Sequence, residues 1–453
     1  MRTLIICCLA LLACVFLPAA SAAEVNDGGA IRAGFARTEI TCPVGIPLIG
    51  SWGKPSETVL DPLYARAMVL TDGRTTLAVL STDLLYAPLE ELAAPVRTLV
   101  KERCGIPEQN VLICATHTHS GPEIFTRSKI PAENRLDASK IDQAYLHALV
   151  DKLADCVCAA RADMRPAGIG FGRGKLPEVV FNRRPIGPDG KAKMTLSVTP
   201  EVAATRVTRT DPEGHTCTSF TRLEQESGLQ FGPVDPDLCV LRVEDTAGAV
   251  MGTIINFGCH PVCVYPSAAT AISADYPGDA AALVEQIEGG TCLFTLAPAG
   301  DLVPYQRGLP AHEKIGKAIG AEALKSLQFV QTTGNAPLAA LTKQIELPLK
   351  ETVTLETAGC IRTEIQVLRI GDIYLVGLPG EILVEIGLEI KSKAGLDKLV
   401  LVSLANDAVG YVCPAAAYDQ GGYEPGSGTL LAKGSAEILI AEALDLLARM
   451  KSR

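Results

Sequence analysis

Six short apolar runs, separated by helical patterns, limit what this chain can fold into. They are residues 76–80, 111–115, 250–257, 292–296, 373–378 and 399–404. Each has the length of a strand covered on both faces. Between them, residues 88–103 set Leu89, Leu92, Val96, Leu99 and Val100 on one helical stripe, and residues 141–157 do the same with Ile141, Tyr145, Leu149 and Leu153. Residues 381–394 read as a helix stopped by Gly395, and residues 435–450 as one begun by Ser435. Strands alternating with helices predict a mixed α/β fold, with central β-sheets flanked by helices and ligands at strand C-terminal ends. One large catalytic domain over residues 23–453 is expected. Residues 186–235, rich in Thr, Pro, Gly and charge, break the pattern and suggest a hairpin-bearing excursion or loop.

Composition removes several classes. Forty-one basic residues against 51 acidic ones give the 453-residue chain a formal charge of −10, which argues against nucleic acid as a partner. An apolar fraction of 48% excludes disorder, and 5% aromatic residues with Trp52 as the single tryptophan offer little stacking surface for sugars. Arg2, the apolar stretch 4–17 and Ala20-Ser21-Ala22 form an export leader over residues 1–22, so a periplasmic or extracellular location is expected. Lipid anchoring at Cys14 is the alternative. Of 15 cysteines, twelve follow the leader, too thinly spread for a disulfide scaffold. Cys114, Cys239, Cys259 and Cys292 read as small buried hydrophobes.

The chemistry gathers at strand ends. His117 and His119 follow the run 111–115, and residues two apart in extended chain point the same way. His260 ends the run 250–257 in Gly258-Cys259-His260-Pro261. Glu381 follows the run 373–378 and opens a helix, whose dipole favours an ionised carboxylate. Tyr411 follows the run 399–404, with Tyr423 behind it. Histidine, histidine, glutamate and tyrosine make a mixed nitrogen–oxygen donor set suited to zinc. Asp83, also at a strand end, reads as an orienting partner for a metal-bound histidine. His147, His215 and His312 read as structural or solvent-facing.

The residues 110–122, Asn-Val-Leu-Ile-Cys-Ala-Thr-His-Thr-His-Ser-Gly-Pro, resemble the signature of the neutral/alkaline non-lysosomal ceramidases. Phe181-Asn-Arg-Arg-Pro185, Asn256-Phe-Gly-Cys-His260, Leu378-Pro-Gly-Glu381 and the pair Tyr411 and Tyr423 continue the resemblance in order, over roughly residues 31–430. The resemblance implies zinc held by His117, His260, Glu381 and Tyr411. It implies His119 as the acid–base or orienting histidine, with Arg183 and Tyr423 contacting substrate and developing charge. The implied activity is zinc-dependent hydrolysis of an N-acyl amide, small or lipid-like, by an activated water. Two departures stand out. Ala297, in Phe294-Thr-Leu-Ala297-Pro-Ala-Gly300, occupies the position of the family's active-site serine, which excludes a mechanism needing that hydroxyl and points away from ceramide itself. The sequence ends at Arg453, soon after the tyrosines, so the family's C-terminal immunoglobulin-like domain is expected to be missing. The alternatives are an ester or phosphoester hydrolase, with Asp83, Asp275 and Asp301 serving a second metal, and a non-catalytic zinc-binding homologue.

Overall fold

The apolar runs form the centre of two stacked sheets. The computed structural model describes residues 29–50, 54–124, 141–194, 202, 205–221, 228–353 and 359–453; the leader 1–22, Trp52 and most of the loop 123–140 lie outside the described residues. In the larger sheet eight strands run in the order Thr291–Leu296, Val250–Phe257, Asp237–Asp245, Arg165–Lys175, Arg32–Glu39, Tyr64–Thr71, Thr76–Thr82 and Val111–Ala115. The outermost pair at each edge is parallel and the pairs between are antiparallel. The smaller sheet has four strands, Leu338–Pro348, Cys360–Ile370, Ile373–Gly377 and Leu399–Val402, the last two parallel.

Side-chain alternation stacks these sheets. Met68, Leu70, Leu77, Val79 and Leu112 face Leu368, Ile370, Leu375 and Val400 in one buried layer between them. The intervening residues Val69, Leu80, Val111 and Ile113 point the other way, under helices Ala94–Cys104, Gln143–Ala162, Asp275–Glu288 and Leu309–Leu327. On the far side, Val376, Leu399 and Leu401 pack beneath helices Val384–Ala394 and Ser435–Lys451. The result is helix, sheet, sheet, helix, which explains why the strands are apolar on both faces. Each fully buried leucine or isoleucine contributes about 1.5–3 kcal/mol.

Three details differ from the sequence reading. The segment 88–103 opens as a wide π-type turn, Leu89–Ala93, before the helix Ala94–Cys104. Glu381 does not open a helix: Glu381–Ile382 is a short strand parallel to Tyr411–Val412, and the helix starts at Val384. The left-handed Gly380 (φ 108°) and the Glu381 N–H bond to the Gly410 carbonyl (2.9 Å) make that pairing. Six long strands, among them Arg165–Lys175 and Asp237–Asp245, were absent from the list of apolar runs. The excursion does carry a hairpin, Arg206–Thr210 with Thr216–Phe220, joined through Asp211 and His215.

Asn406 locks the two sheets together. It is fully buried with φ 64°, its Oδ1 accepts the Ile113 N–H (2.9 Å), its N–H donates to the Ile113 carbonyl (2.7 Å), and its Nδ2 donates to Gln366 Oε1 (2.9 Å). Asn406→Ala is therefore expected to lose about 2–3 kcal/mol, because a buried N–H and a buried amide lose partners and an alanine must hold a left-handed backbone. Denaturant unfolding measures it; a change within about 0.5 kcal/mol would contradict this account of how the sheets are joined.

Candidate functional site

Four strand ends deliver side chains to one buried point. His117 follows Val111–Ala115, His260 follows Val250–Phe257, Glu381 follows Ile373–Gly377 and Tyr411 follows Leu399–Val402. The Thr116–Ser120 segment is not extended, so simple alternation does not bring His117 and His119 together. His117 takes φ 73° and donates its N–H to the Leu84 carbonyl (2.9 Å), while Thr118 Oγ1 donates to the Ser273 carbonyl (2.6 Å). This turn sets the two imidazole rings 5.0 Å apart at 79°.

His117 Nε2, His260 Nε2 and Glu381 Oε2 form a triangle with 3.2 Å sides. The other nitrogen of each imidazole faces a main-chain carbonyl: His117 Nδ1 lies 2.9 Å from Leu85 O, and His260 Nδ1 2.7 Å from Ala299 O. A carbonyl only accepts, so each Nδ1 carries the proton and each Nε2 presents a lone pair. Burial, with Arg183 adding to it, drags the His260 pKa down to about 4, so that ring is neutral at pH 7. Glu381 Oε2 is sealed from solvent without a hydrogen bond. Burial alone would raise its pKa, but His117 and His260 outweigh it and hold the carboxyl well below its ordinary range.

Three buried acceptors so close repel unless a cation lies between them. A tetrahedral zinc with bonds of about 2.0–2.1 Å sets its ligands about 3.3 Å apart. The observed spacing fits a metal of that size. Tyr411 OH adds a fourth donor atom, an oxygen 3.4 Å from His260 Nε2. The ring nitrogens of His117, His119 and His260 lie within 4.8 Å of one another, the one such metal-competent group among the described residues. His119 Nε2 is likewise sealed and unpartnered. Burial, then His117 and His260, push the His119 pKa well below its ordinary value.

A second ring of residues fixes this one. Arg183 donates from Nε to Glu424 (2.8 Å) and from a terminal nitrogen to Tyr411 OH (3.0 Å), so its guanidinium lies behind Tyr411. Arg184 binds the other Glu424 oxygen. Burial and Glu381 raise the Tyr411 pKa, while Arg183 opposes the rise. Tyr423, 43% exposed, stands edge-on to Tyr411 at 5.5 Å and forms an outer wall. Lys350 donates to the carbonyls of Pro425, Gly426 and Thr429 at 2.7, 2.6 and 2.7 Å, clamping the loop beyond Tyr423. Ala297 is buried after the strand Thr291–Leu296, and its neighbour Ala299 supplies the carbonyl that orients His260.

All seven residues singled out in the sequence thus fall in or beside one cluster. Asp83 does not orient a histidine. It accepts from Arg66 (3.0 Å) and from the Tyr64 N–H (2.8 Å), and carbonyls perform the orienting instead. Asp275 caps Val264 and Tyr276, and Asp301 accepts from Asn182 and Val384, so neither carboxylate joins the cluster. His312 is buried and paired with Asp279 (2.6 Å). The sequence reading missed Tyr86, whose hydroxyl donates to Glu381 Oε1 (3.0 Å), as well as Glu424 and Lys350. Tyr86 carried a signal, since it too lies just beyond a strand end; the other two carried none.

The chain is similar to known proteins in sequence and in fold. Residues 32–193 match the family model described as neutral/alkaline non-lysosomal ceramidase, N-terminal. The neutral ceramidase of Pseudomonas aeruginosa is 25% identical over 304 residues, 65% of this chain and 40% of that protein. The neutral ceramidase of Mycobacterium tuberculosis is 30% identical over 158 residues, 32% of this chain and 24% of that protein. The crystal structure of the Pseudomonas aeruginosa enzyme superposes with a TM-score of 0.71 at 20% identity, over 94% of this chain and 75% of that one. Residues 32–193 thus resemble the N-terminal part of the neutral/alkaline non-lysosomal ceramidases, and the chain shares their fold. It spans less than half the length of the curated ceramidases it matches.

In this ceramidase-like fold the buried neutral imidazoles have a stability consequence. His260 binds no proton in the folded metal-free protein until about pH 4, whereas an unfolded histidine binds one near pH 6.5. The unfolded state therefore takes up more protons between those values, and stability is lost as pH falls through that window. For His260 alone the loss is about 3 kcal/mol. Denaturant unfolding of the chelated protein from pH 7 to pH 4 measures it; a smaller loss is expected in His260→Phe, and an identical loss would contradict the assignment.

Proposed function

We propose that this chain is an exported, zinc-dependent hydrolase of the ceramidase type that cleaves an N-acyl amide. The triangle of two imidazole lone pairs and one carboxylate oxygen carries the reading, because it fits a single small dication. The family relationship supports amide hydrolysis, and the apolar stretch 4–17 followed by Ala20-Ser21-Ala22 supports export. His117, His260, Glu381 and Tyr411 would hold the zinc. When bound, zinc polarises a carbonyl and acidifies a coordinated water to near neutral pH.

The chain's own residues do the rest. Leu85 O and Ala299 O keep both ligand imidazoles in the tautomer that offers Nε2. His119, outside the 3.2 Å triangle, is a free base at neutral pH; its Nε2 takes the proton from the attacking water and hands it to the leaving amine nitrogen. Arg183 holds the Tyr411 oxygen and lends positive charge where the oxyanion develops. Tyr423 contacts the substrate at the pocket's outer wall. No serine hydroxyl is required, which agrees with Ala297. The phosphoester alternative is less well supported, because Asp83, Asp275 and Asp301 are each engaged away from the triangle.

A panel of fluorogenic N-acyl amides and esters, with and without chelator, tests the reading. Amide turnover is expected to vanish on chelation and to return with zinc. His119→Ala is expected to cut kcat by about 10²–10⁴-fold with zinc content unchanged. A protein that binds one zinc per chain and turns over no amide would support the non-catalytic alternative instead.

A further inference from the structure

We propose that Arg307 forms an anion subsite beside the reaction centre, selecting acyl amides that carry a carboxylate close to the scissile bond. The inference rests on the amide-hydrolase reading and names its substrate class.

Arg307 stands apart from the other inward-facing arginines. Arg66, Arg97, Arg183 and Arg184 are buried, and each pairs with a carboxylate: Asp83 at 3.0 Å, Glu364 at 2.6 Å, and Glu424 for the last two, at 2.8 Å from Arg183. Arg307 has no carboxylate within ion-pair distance among the described residues. Its Nε donates to the Val262 carbonyl (2.9 Å) and one terminal nitrogen to the Tyr265 carbonyl (3.2 Å). The other terminal nitrogen has no hydrogen-bond partner among the described residues and is not among the atoms sealed from water. Asp275 is near enough to be felt, but its two oxygens already accept from the Val264 and Tyr276 N–H groups at 2.9 and 2.7 Å.

The position is the informative part. Val262 and Tyr265 lie on the segment that leaves His260, and the Tyr265 ring stacks on His119 with centroids 5.7 Å apart at 26°. Arg307 is thus pinned by two carbonyls at the flank of the residue assigned to proton transfer. Burial lowers its pKa to about 10, with Arg183 pushing the same way, so it stays cationic at neutral pH. The same charge is one of those keeping His119 neutral, after burial, His117 and His260. A half-buried guanidinium without counter-charge is costly to keep, and a planar fork with free N–H groups matches a carboxylate. A substrate anion supplies the missing partner.

Three probes separate the sources of that carboxylate: N-decanoylglycine carries it on the amine side, N-decylsuccinamic acid on the acyl side, and N-decanoylethanolamine carries none. The zinc-loaded protein is expected to hydrolyse one of the acids with a kcat/KM about 100-fold above the uncharged amide. Arg307→Gln is expected to erase that preference, bringing the ratio of acid to uncharged-amide kcat/KM to about one, and Arg307→Lys to retain part of it. Because the comparison is a ratio within each variant, a fold defect lowers all three rates together. Calorimetric binding of both acids to the chelated protein gives a second readout, independent of turnover. At least one is expected to bind about tenfold or more weakly to Arg307→Gln, even if no amide is cleaved and the hydrolase reading fails. Equal rates on acid and uncharged amides in the parent protein, or equal acid binding by parent and Arg307→Gln, would overturn the subsite.

Discussion

Two imidazole nitrogens and a carboxylate oxygen, all lone-pair donors, are held 3.2 Å apart in a buried pocket. Left alone they would spread or take up protons. The protein denies both escapes: Leu85 O and Ala299 O fix the tautomers, and burial keeps His260 neutral. Much of the surrounding architecture follows from holding that trio. The ligands come from both sheets, so the sheets must be locked in register, and Asn406 with Gln366 does this at the strand ends. The short parallel pair Glu381–Ile382 and Tyr411–Val412 sets the carboxylate and the phenol side by side.

Charge is distributed around the trio with similar economy. Glu424 takes both Arg183 and Arg184, which leaves one Arg183 nitrogen for the Tyr411 oxygen. Lys350 directs its ammonium to three loop carbonyls, and this keeps Tyr423 at the rim and Glu424 buried behind it. Each is a buried or half-buried cation whose desolvation is offset by named acceptors. Arg307, like Lys350, is held by carbonyls with no carboxylate within ion-pair distance among the described residues, but unlike Lys350 it keeps one terminal nitrogen without a hydrogen-bond partner there. The substrate reading rests on that asymmetry.

How much of this was legible in the sequence depended on the kind of signal. Strands covered on both faces announce themselves as apolar runs, and all six runs match an observed strand to within two residues at either end. Val111–Ala115 and Val250–Phe257 agree at both ends. Strands carrying glycine and charge did not. Arg165–Lys175 shows no apolar run because Gly168, Gly170, Gly172 and Gly174 alternate through it. In the fold that glycine face admits the segment following helix Leu309–Leu327, where a Cβ on Gly170 would meet the Gln331 carbonyl at 2.3 Å. His117 and His119 were paired for the wrong reason, since a left-handed turn and not strand alternation brings them together. The acceptors that orient the ligands are main-chain carbonyls, and these leave no residue type to read. Glu424, Lys350 and Arg307 act through contacts separated by more than 40 residues, beyond any local pattern.

The central claim concerns one ion in one place. Anomalous diffraction at the zinc edge, on crystals of zinc-loaded protein, tests it most directly. The account predicts a single strong peak bonded to His117 Nε2, His260 Nε2 and Glu381 Oε2, with His119 outside bonding distance. A peak elsewhere, or one bonded through His119 while Glu381 turns to a hydrogen-bond donor, would contradict it.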